Sequence, residues 1–180
     1  CLVNLIIGTG AFVIGGILAP IAEQLAISVP AAGQAMTAYA LSTALLAPVV
    51  LLATGRWPRK RALLTALALF TLGNLLCALS NSFATLIAGR VLMGLGAVFT
   101  PIAAGIAVAS VEPAKRGKAL ALTFLGISLS YVIGVPLGSW LGLAYEWHTP
   151  IWVITGLSLL ALIGAALWVP KDIRAPGASF

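Results

Sequence analysis

Hydrophobic residues form long runs along the chain, and short polar segments separate them. A helix rises ~1.5 Å per residue, so about twenty apolar residues are needed to cross a hydrocarbon core of ~30 Å. An open strand would leave backbone groups unpaired in lipid, so helices are the expected form. The pattern predicts an all-α integral membrane protein with six transmembrane helices, numbered here as spans 1 to 6: residues 1–22, 32–53, 62–80, 85–111, 119–143 and 151–169.

Composition supports a membrane protein rather than a water-soluble one. The chain is 61% hydrophobic and only 8% charged, whereas soluble domains carry roughly a quarter charged residues. The first apolar run lacks the basic segment that opens a secretory signal, so we interpret it as a span. Because the sequence begins at Cys1 rather than at methionine, we expect it to be trimmed at its N-terminus.

The positive charges predict how the chain is oriented. Short loops rich in Lys and Arg stay in the cytoplasm, and the three basic clusters occupy alternate connectors. Both ends of the segment are therefore expected to be cytoplasmic. Because the clusters are separated by membrane-length runs, they form no continuous basic surface and predict no nucleic-acid partner. The clusters hold nine of the ten Lys and Arg residues: Arg56, Arg59, Lys60 and Arg61; Lys115, Arg116 and Lys118; Lys171 and Arg174.

Tryptophans at the span ends agree with this orientation. Trp57 and Trp168 fall at predicted cytoplasmic ends, while Trp140, Trp147 and Trp152 fall at the outer ends of spans 5 and 6, as an aromatic belt would. The single histidine, His148, is expected in an exposed outer loop.

Glycine and proline mark three of the spans. Span 5 carries Gly134, Gly138 and Gly142 at intervals of four residues, with Pro136 among them. Such a stripe permits close helix packing, or alternatively bending and sliding. Spans 1 and 4 each begin a three-helix unit with a glycine-rich stretch followed by proline, which suggests a 3+3 inverted repeat.

Arg90 is the one basic residue inside a span. Counting seven residues from Phe83, just before span 4, places it ~10 Å below the outer boundary. An arginine at that depth either snorkels to the interface or faces protein or water for a functional reason. Tyr39, Tyr131 and Met93 are further candidates for a central cavity, although each could equally be a packing residue.

Catalysis and metal binding have no support in the sequence. It contains no Ser/His/Asp set, phosphate-binding loop, paired carboxylates or cysteine spacing typical of a metal site. We therefore predict that the protein is not an enzyme and has no metal or cofactor.

Four segments resemble the major facilitator superfamily, especially its drug:proton antiporters and arabinose-efflux-permease-like members. Residues 54–64 are similar to the basic loop after the second helix, and residues 86–96 to the arginine motif of the fourth. Residues 134–142 resemble the antiporter motif of the fifth, and residues 8–34 the first helix and its following loop. The resemblance implies a twelve-span transporter in the bacterial inner membrane. Residues 1–170 would form its N-terminal six-helix bundle and residues 171–180 the start of the central cytoplasmic linker.

The resemblance also implies a function and site residues. The expected activity is proton-coupled efflux of drugs, sugars or similar small molecules by alternating access, with a C-terminal six-helix half as partner. It favours a transport role for Arg90 and implies two further elements: the gating loop Arg56, Arg59, Lys60 and Arg61, and the helix-bending motif Gly134, Pro136, Gly138 and Gly142.

The sequence departs from the family pattern at sites linked to gating and coupling. Gly55 and Pro58 replace the aspartate and glycine usual in the basic loop, and Ala11 stands where relatives often have an acid. The proton carrier is then either Glu23, near the outer end of span 1, or a carboxylate in the other half. Two alternatives stay open: a six-helix half-transporter or channel acting as a dimer, and a non-transporting receptor or scaffold, with which these departures are consistent.

Overall fold

The computed structural model describes residues 1–169, and within them it contains helices but no strands. The predicted linker at 171–180, with Lys171 and Arg174, lies outside the described residues. The α-helices are α1 Leu2–Phe12, α2 Leu18–Gln24, α3 Val29–Ala53, α4 Arg59–Ala78, α5 Phe83–Gly96, α6 Phe99–Ala109, α7 Arg116–Leu129, α8 Val135–Ala144 and α9 His148–Trp168.

These helices form the membrane-spanning segments. Five segments are long and apolar enough to cross a membrane, and α1 with α2 forms a sixth if this bent pair is one span. Spans 2, 3 and 6 are therefore α3, α4 and α9, while α5–α6 form span 4 and α7–α8 form span 5. The prediction of an all-helical membrane fold is confirmed.

Several helices begin before their apolar runs because polar residues cap them. Ser28 accepts a hydrogen bond from the backbone N–H of Ala31, and Ser82 accepts one from Thr85. Such caps satisfy backbone donors that have no partner inside the helix. Span 3 begins at Arg59, inside the basic loop, directly after Pro58 and without a side-chain cap.

A proline follows each interruption in spans 1, 4 and 5. Span 1 bends by 64° where a 3₁₀ turn joins its two helices, just before Pro20. Span 4 is interrupted between Gly96 and Phe99 before Pro101, and span 5 contains a π turn at Ser130–Gly134 before Pro136. Proline has no N–H to give the carbonyl four residues earlier, so the regular helical pattern fails in the preceding turn.

The spans pack in a pattern that is symmetric between the two halves of the bundle. Span 1 packs against spans 5 and 6, span 4 packs against spans 2 and 3, and span 3 packs against span 6. Exchanging spans 1–3 for spans 4–6 converts each of these pairs into another of them, as a 3+3 repeat requires. Spans 1 and 3 carry the largest share of buried residues, whereas spans 2 and 5 carry the smallest.

Candidate functional site

Arg90 lies at the centre of the bundle and binds the backbone of two other spans. Its side chain is 1% exposed. Nε donates to the carbonyl of Ala35 in span 2 at 3.2 Å, and Nη1 donates to the carbonyl of Gly10 in span 1 at 2.8 Å. Nη2 donates to the carbonyl of Ala11. One side chain of span 4 therefore connects spans 1 and 2.

The charge of the Arg90 guanidinium group is stabilised by the dipoles of backbone carbonyls and not by a carboxylate. Within residues 1–169 the one ion pair joins Lys115 to Glu112 at the surface, so Arg90 has no acidic partner there. Gly10 and Ala11 lie immediately before the 3₁₀ turn of span 1, where the regular helical pattern ends. The snorkelling alternative is wrong, since the side chain reaches carbonyls inside the bundle and not the interface.

A groove of about 700 Å³ lies in front of Arg90, between spans 1 and 2. Tyr39 separates the groove from the arginine: it lines the groove, and its ring centre lies 4.8 Å from the guanidinium carbon. The groove carries no charged side chain. Its lining is Ala11, Phe12, Met36, Thr37, Tyr39, Ala40, Leu41, Thr43 and Ala44.

The other predicted cavity residues occupy different environments. Tyr131 is half exposed and stacks on Phe12, with ring centres 4.8 Å apart, so it lies at the edge of the groove. Met93 is buried beside Arg90 and Cys77 and is not part of the groove lining. Met36, which from the sequence is either adaptable surface for substrates or a core-filling residue, does line it. Their transport roles stay predictions.

Spans 1 and 5 interlock through glycines on both sides. A Cβ atom built on Gly138 would lie 2.5 Å from Val13 Cγ2, and one on Gly142 would lie 2.6 Å from Ile17 Cγ2. Gly134 faces Thr9 at still closer range. In the opposite direction, Gly8 faces Ser130 and Gly16 faces Ser139. The motif at 134–142 therefore brings the two backbones together along much of their length.

We expect Gly138→Ala to destabilise the protein by about 1–3 kcal/mol, because the added methyl overpacks this contact. The double variant Gly138→Ala/Val13→Ala removes the methyl that is struck and should recover about half of the loss. Thermal unfolding in detergent measures both. If the double variant is no more stable than Gly138→Ala alone, Val13 is not the obstacle.

Two residues of the basic loop make specific contacts: Lys60 binds the end of span 6, and Arg61 packs on Trp57 of the same loop. Lys60 Nζ donates to the carbonyl of Ala166 at 2.6 Å, near the C-terminus of span 6, where the helix dipole favours a cation. The guanidinium of Arg61 lies 4.6 Å from the ring centre of Trp57. Arg59 is half buried and Arg56 is exposed. A gating role for the four residues stays a prediction.

A cluster at the predicted outer ends of spans 1, 3 and 6 corrects two expectations. Trp147, expected in an aromatic belt, is buried, and its indole N–H donates to Gln24 Oε1 at 2.5 Å. His148, expected in an exposed loop, begins span 6 and is half buried. It stacks on Trp147, and its Nε2 lies 3.0 Å from the carbonyl oxygen of Ser80. Glu23, beside Gln24, is exposed.

Comparison with known proteins identifies a family. The sequence model of the Major Facilitator Superfamily matches residues 1–179. The MFS-type transporter YbcL of Bacillus subtilis is 36% identical over 163 residues, covering 90% of this chain and 42% of YbcL. The inner membrane transport protein YdhP of Escherichia coli is 33% identical, with coverages of 92% and 43%. A chloramphenicol efflux pump of Mycobacterium tuberculosis is 35% identical, with coverages of 88% and 38%.

Solved structures share the fold. The human organic anion transporter MFSD10 aligns with a TM-score of 0.73 at 17% identity, covering 96% of this chain and 47% of that one. A peptide transporter, POT, aligns with a TM-score of 0.76 at 18% identity, covering 91% and 35%. This chain thus spans less than half the length of each of these relatives and structures.

Proposed function

Because the chain belongs to the Major Facilitator Superfamily, we propose that it forms the N-terminal half of a secondary active efflux transporter in the bacterial inner membrane. The transporter would exchange protons for drugs, sugars or similar small molecules by alternating access. The similar protein named as a chloramphenicol efflux pump supports the direction of transport and a drug as one substrate.

The observation that carries the proposal is the set of hydrogen bonds made by Arg90. Alternating access needs an element with two arrangements whose balance substrate and protons can shift. Arg90 links the break in span 1 to spans 2 and 4, directly behind the groove wall at Tyr39. We propose that these bonds hold one arrangement and that their release permits the other.

Proton coupling is proposed to use a carboxylate other than one at position 11. Ala11 offers only its carbonyl to Arg90. Glu23 is exposed at the outer end of span 1 and could take a proton from the outer medium. A carboxylate of the other half is the second possibility. The variant Glu23→Gln distinguishes them, because only the first predicts loss of coupling.

The proposed partner is a C-terminal six-helix half. It would close the groove between spans 1 and 2 and cover the exposed surface of span 2 and the face of span 5 that carries Tyr131. Burying these surfaces against a second bundle would give Tyr39 and Tyr131 a shared position at the interface. Each would then face the substrate path.

We expect the loops with clusters of Lys and Arg and the loops without such clusters to lie on opposite sides of the membrane. Cys1 and Cys77 are first replaced by serine and alanine, and single cysteines are then introduced as Asn81→Cys or Lys115→Cys. In intact cells an impermeant maleimide should label Cys at 81 but not at 115, since the basic loop stays inside. Labelling of 115 alone would reverse the proposed orientation.

Transport itself is tested with the complete protein in liposomes under an imposed pH gradient. Chloramphenicol and arabinose are compared as substrates, with a protonophore as control. We expect gradient-dependent movement of at least one of them that the protonophore stops. Movement unaffected by the protonophore would contradict antiport, and binding without movement would favour the receptor alternative.

A further inference from the structure

A second cavity opens on the surface of the bundle where spans 1, 5 and 6 meet. Its volume is about 140 Å³. Ile133, Leu137, Val153 and Leu157 form its rim, and Gly138 is part of its floor. The one lining residue with a hydroxyl is Thr9, and this hydroxyl donates to the carbonyl of Leu5 at 2.8 Å. The cavity therefore offers only hydrocarbon surface to a ligand.

The cavity lies beside the close contact of spans 1 and 5. A Cβ on Gly134 or Gly138 would point at Thr9 or Val13 of span 1, so these glycines set the close approach of the two spans, and their backbone lines the gap beside span 6. In a soluble protein such a recess would be covered or collapsed. Here it opens sideways, since its rim side chains are 43% to 54% exposed.

The opening faces away from the groove between spans 1 and 2. Tyr131 stacks on Phe12, which lines that groove, whereas Ile133 lines the cavity. Two residues along this turn rotate the side chain by about half a turn, so these neighbours face opposite sides of span 5. A second bundle that covers the groove would leave the cavity open to lipid.

The cavity also lies at the depth of the lipid tails. Trp152 marks the outer end of span 6, and Leu157 follows it by five residues, or ~7.5 Å along the helix. A polar ligand at this depth would find no hydrogen-bonding partner in the lining and would lose those it had in water.

We propose that this cavity binds one acyl chain of a membrane phospholipid. A dry apolar cavity of ~150 Å³ holds a molecule the size of benzene, so the end or a middle segment of an acyl chain fits. The bound chain would lie over the backbone of Gly134 and Gly138 and would pack between spans 5 and 6. The proposal rests on the membrane fold and not on transport activity.

The test is photo-crosslinking of the complete protein in liposomes. The liposomes contain a phosphatidylcholine with a diazirine within one acyl chain, and mass spectrometry maps the labelled residues. Labelling per exposed area at the rim should exceed that at Val132 and Leu160 by about threefold, because a chain in the cavity contacts protein on three sides. Both controls are more exposed, at 73% and 65%.

Filling the cavity provides the matched control. Val153→Trp should reduce rim labelling to the level of the controls, whereas Leu160→Trp, on the same helix outside the cavity, should leave it unchanged. Leu157→Phe serves if Val153→Trp does not fold. Labelling that follows exposure alone, or labelling that filling does not reduce, overturns the proposal. Absence of rim labelling also overturns it, since protein would then cover the cavity.

Discussion

Replacing Arg90 with alanine is expected to abolish efflux while the protein still inserts into the membrane. The variant loses charged hydrogen bonds to Gly10, Ala11 and Ala35 at one step, and such bonds are worth ~1.5–3 kcal/mol each. If only about 2 kcal/mol of this hydrogen-bond free energy favours one arrangement of the bundle over the other, its loss lowers the transport rate about thirtyfold. The measurement is initial-rate efflux from liposomes.

Two further substitutions separate the role of geometry from that of charge. Arg90→Lys keeps the charge but has one nitrogen, which cannot reach carbonyls of spans 1 and 2 together, so it should transport almost as poorly. Arg116→Ala removes an exposed arginine from the first turn of α7 and should transport normally. Normal efflux by a well-expressed Arg90→Ala protein would contradict the proposed role.

Gly89→Ala is expected to cause the largest loss of stability among the single-methyl changes considered. Spans 3 and 4 cross where Gly73 and Gly89 meet: a Cβ on Gly89 would lie 2.8 Å from the carbonyl oxygen of Gly73, and one on Gly73 would lie 2.7 Å from that of Gly89. Because these are backbone atoms, the helices must move apart. We expect a loss of about 3 kcal/mol and a fall in Tm of ~6–12 °C.

The same span offers a matched control. Gly105 has no neighbouring atom within 4 Å of its built Cβ. Gly105→Ala should leave stability unchanged or raise it by up to ~1 kcal/mol, because alanine favours a helix. Equal behaviour of the two variants in a thermal unfolding assay would mean that the crossing is loose.

Sequence patterns predicted the membrane helices well because hydropathy and charge act along the chain. A run of apolar residues must be buried in lipid or protein wherever it lies, and a basic loop resists translocation whatever its neighbours. The interruptions of spans 1, 4 and 5 were also marked, since Pro20, Pro101 and Pro136 act on the turn just before them.

The partners of Arg90 could not be predicted from composition. Its acceptors are carbonyls of Gly10, Ala11 and Ala35, and every residue has a carbonyl, so no residue type signals the contact. His148 was misplaced for a related reason. A short polar segment next to a span usually lies in a loop, but this one is covered by side chains from distant parts of the sequence.

Spans 3 and 6 are tied to each other at both ends. Lys60 binds the carbonyl of Ala166 at one end, and His148 contacts the carbonyl of Ser80 at the other. A helix pair fixed at two points cannot tilt or slide as the rest of the bundle rearranges. The distance between spin labels on outward-facing residues such as Leu76 and Leu160 should therefore stay constant. Displacements of spans 1, 2 and 5 can then be measured relative to this pair.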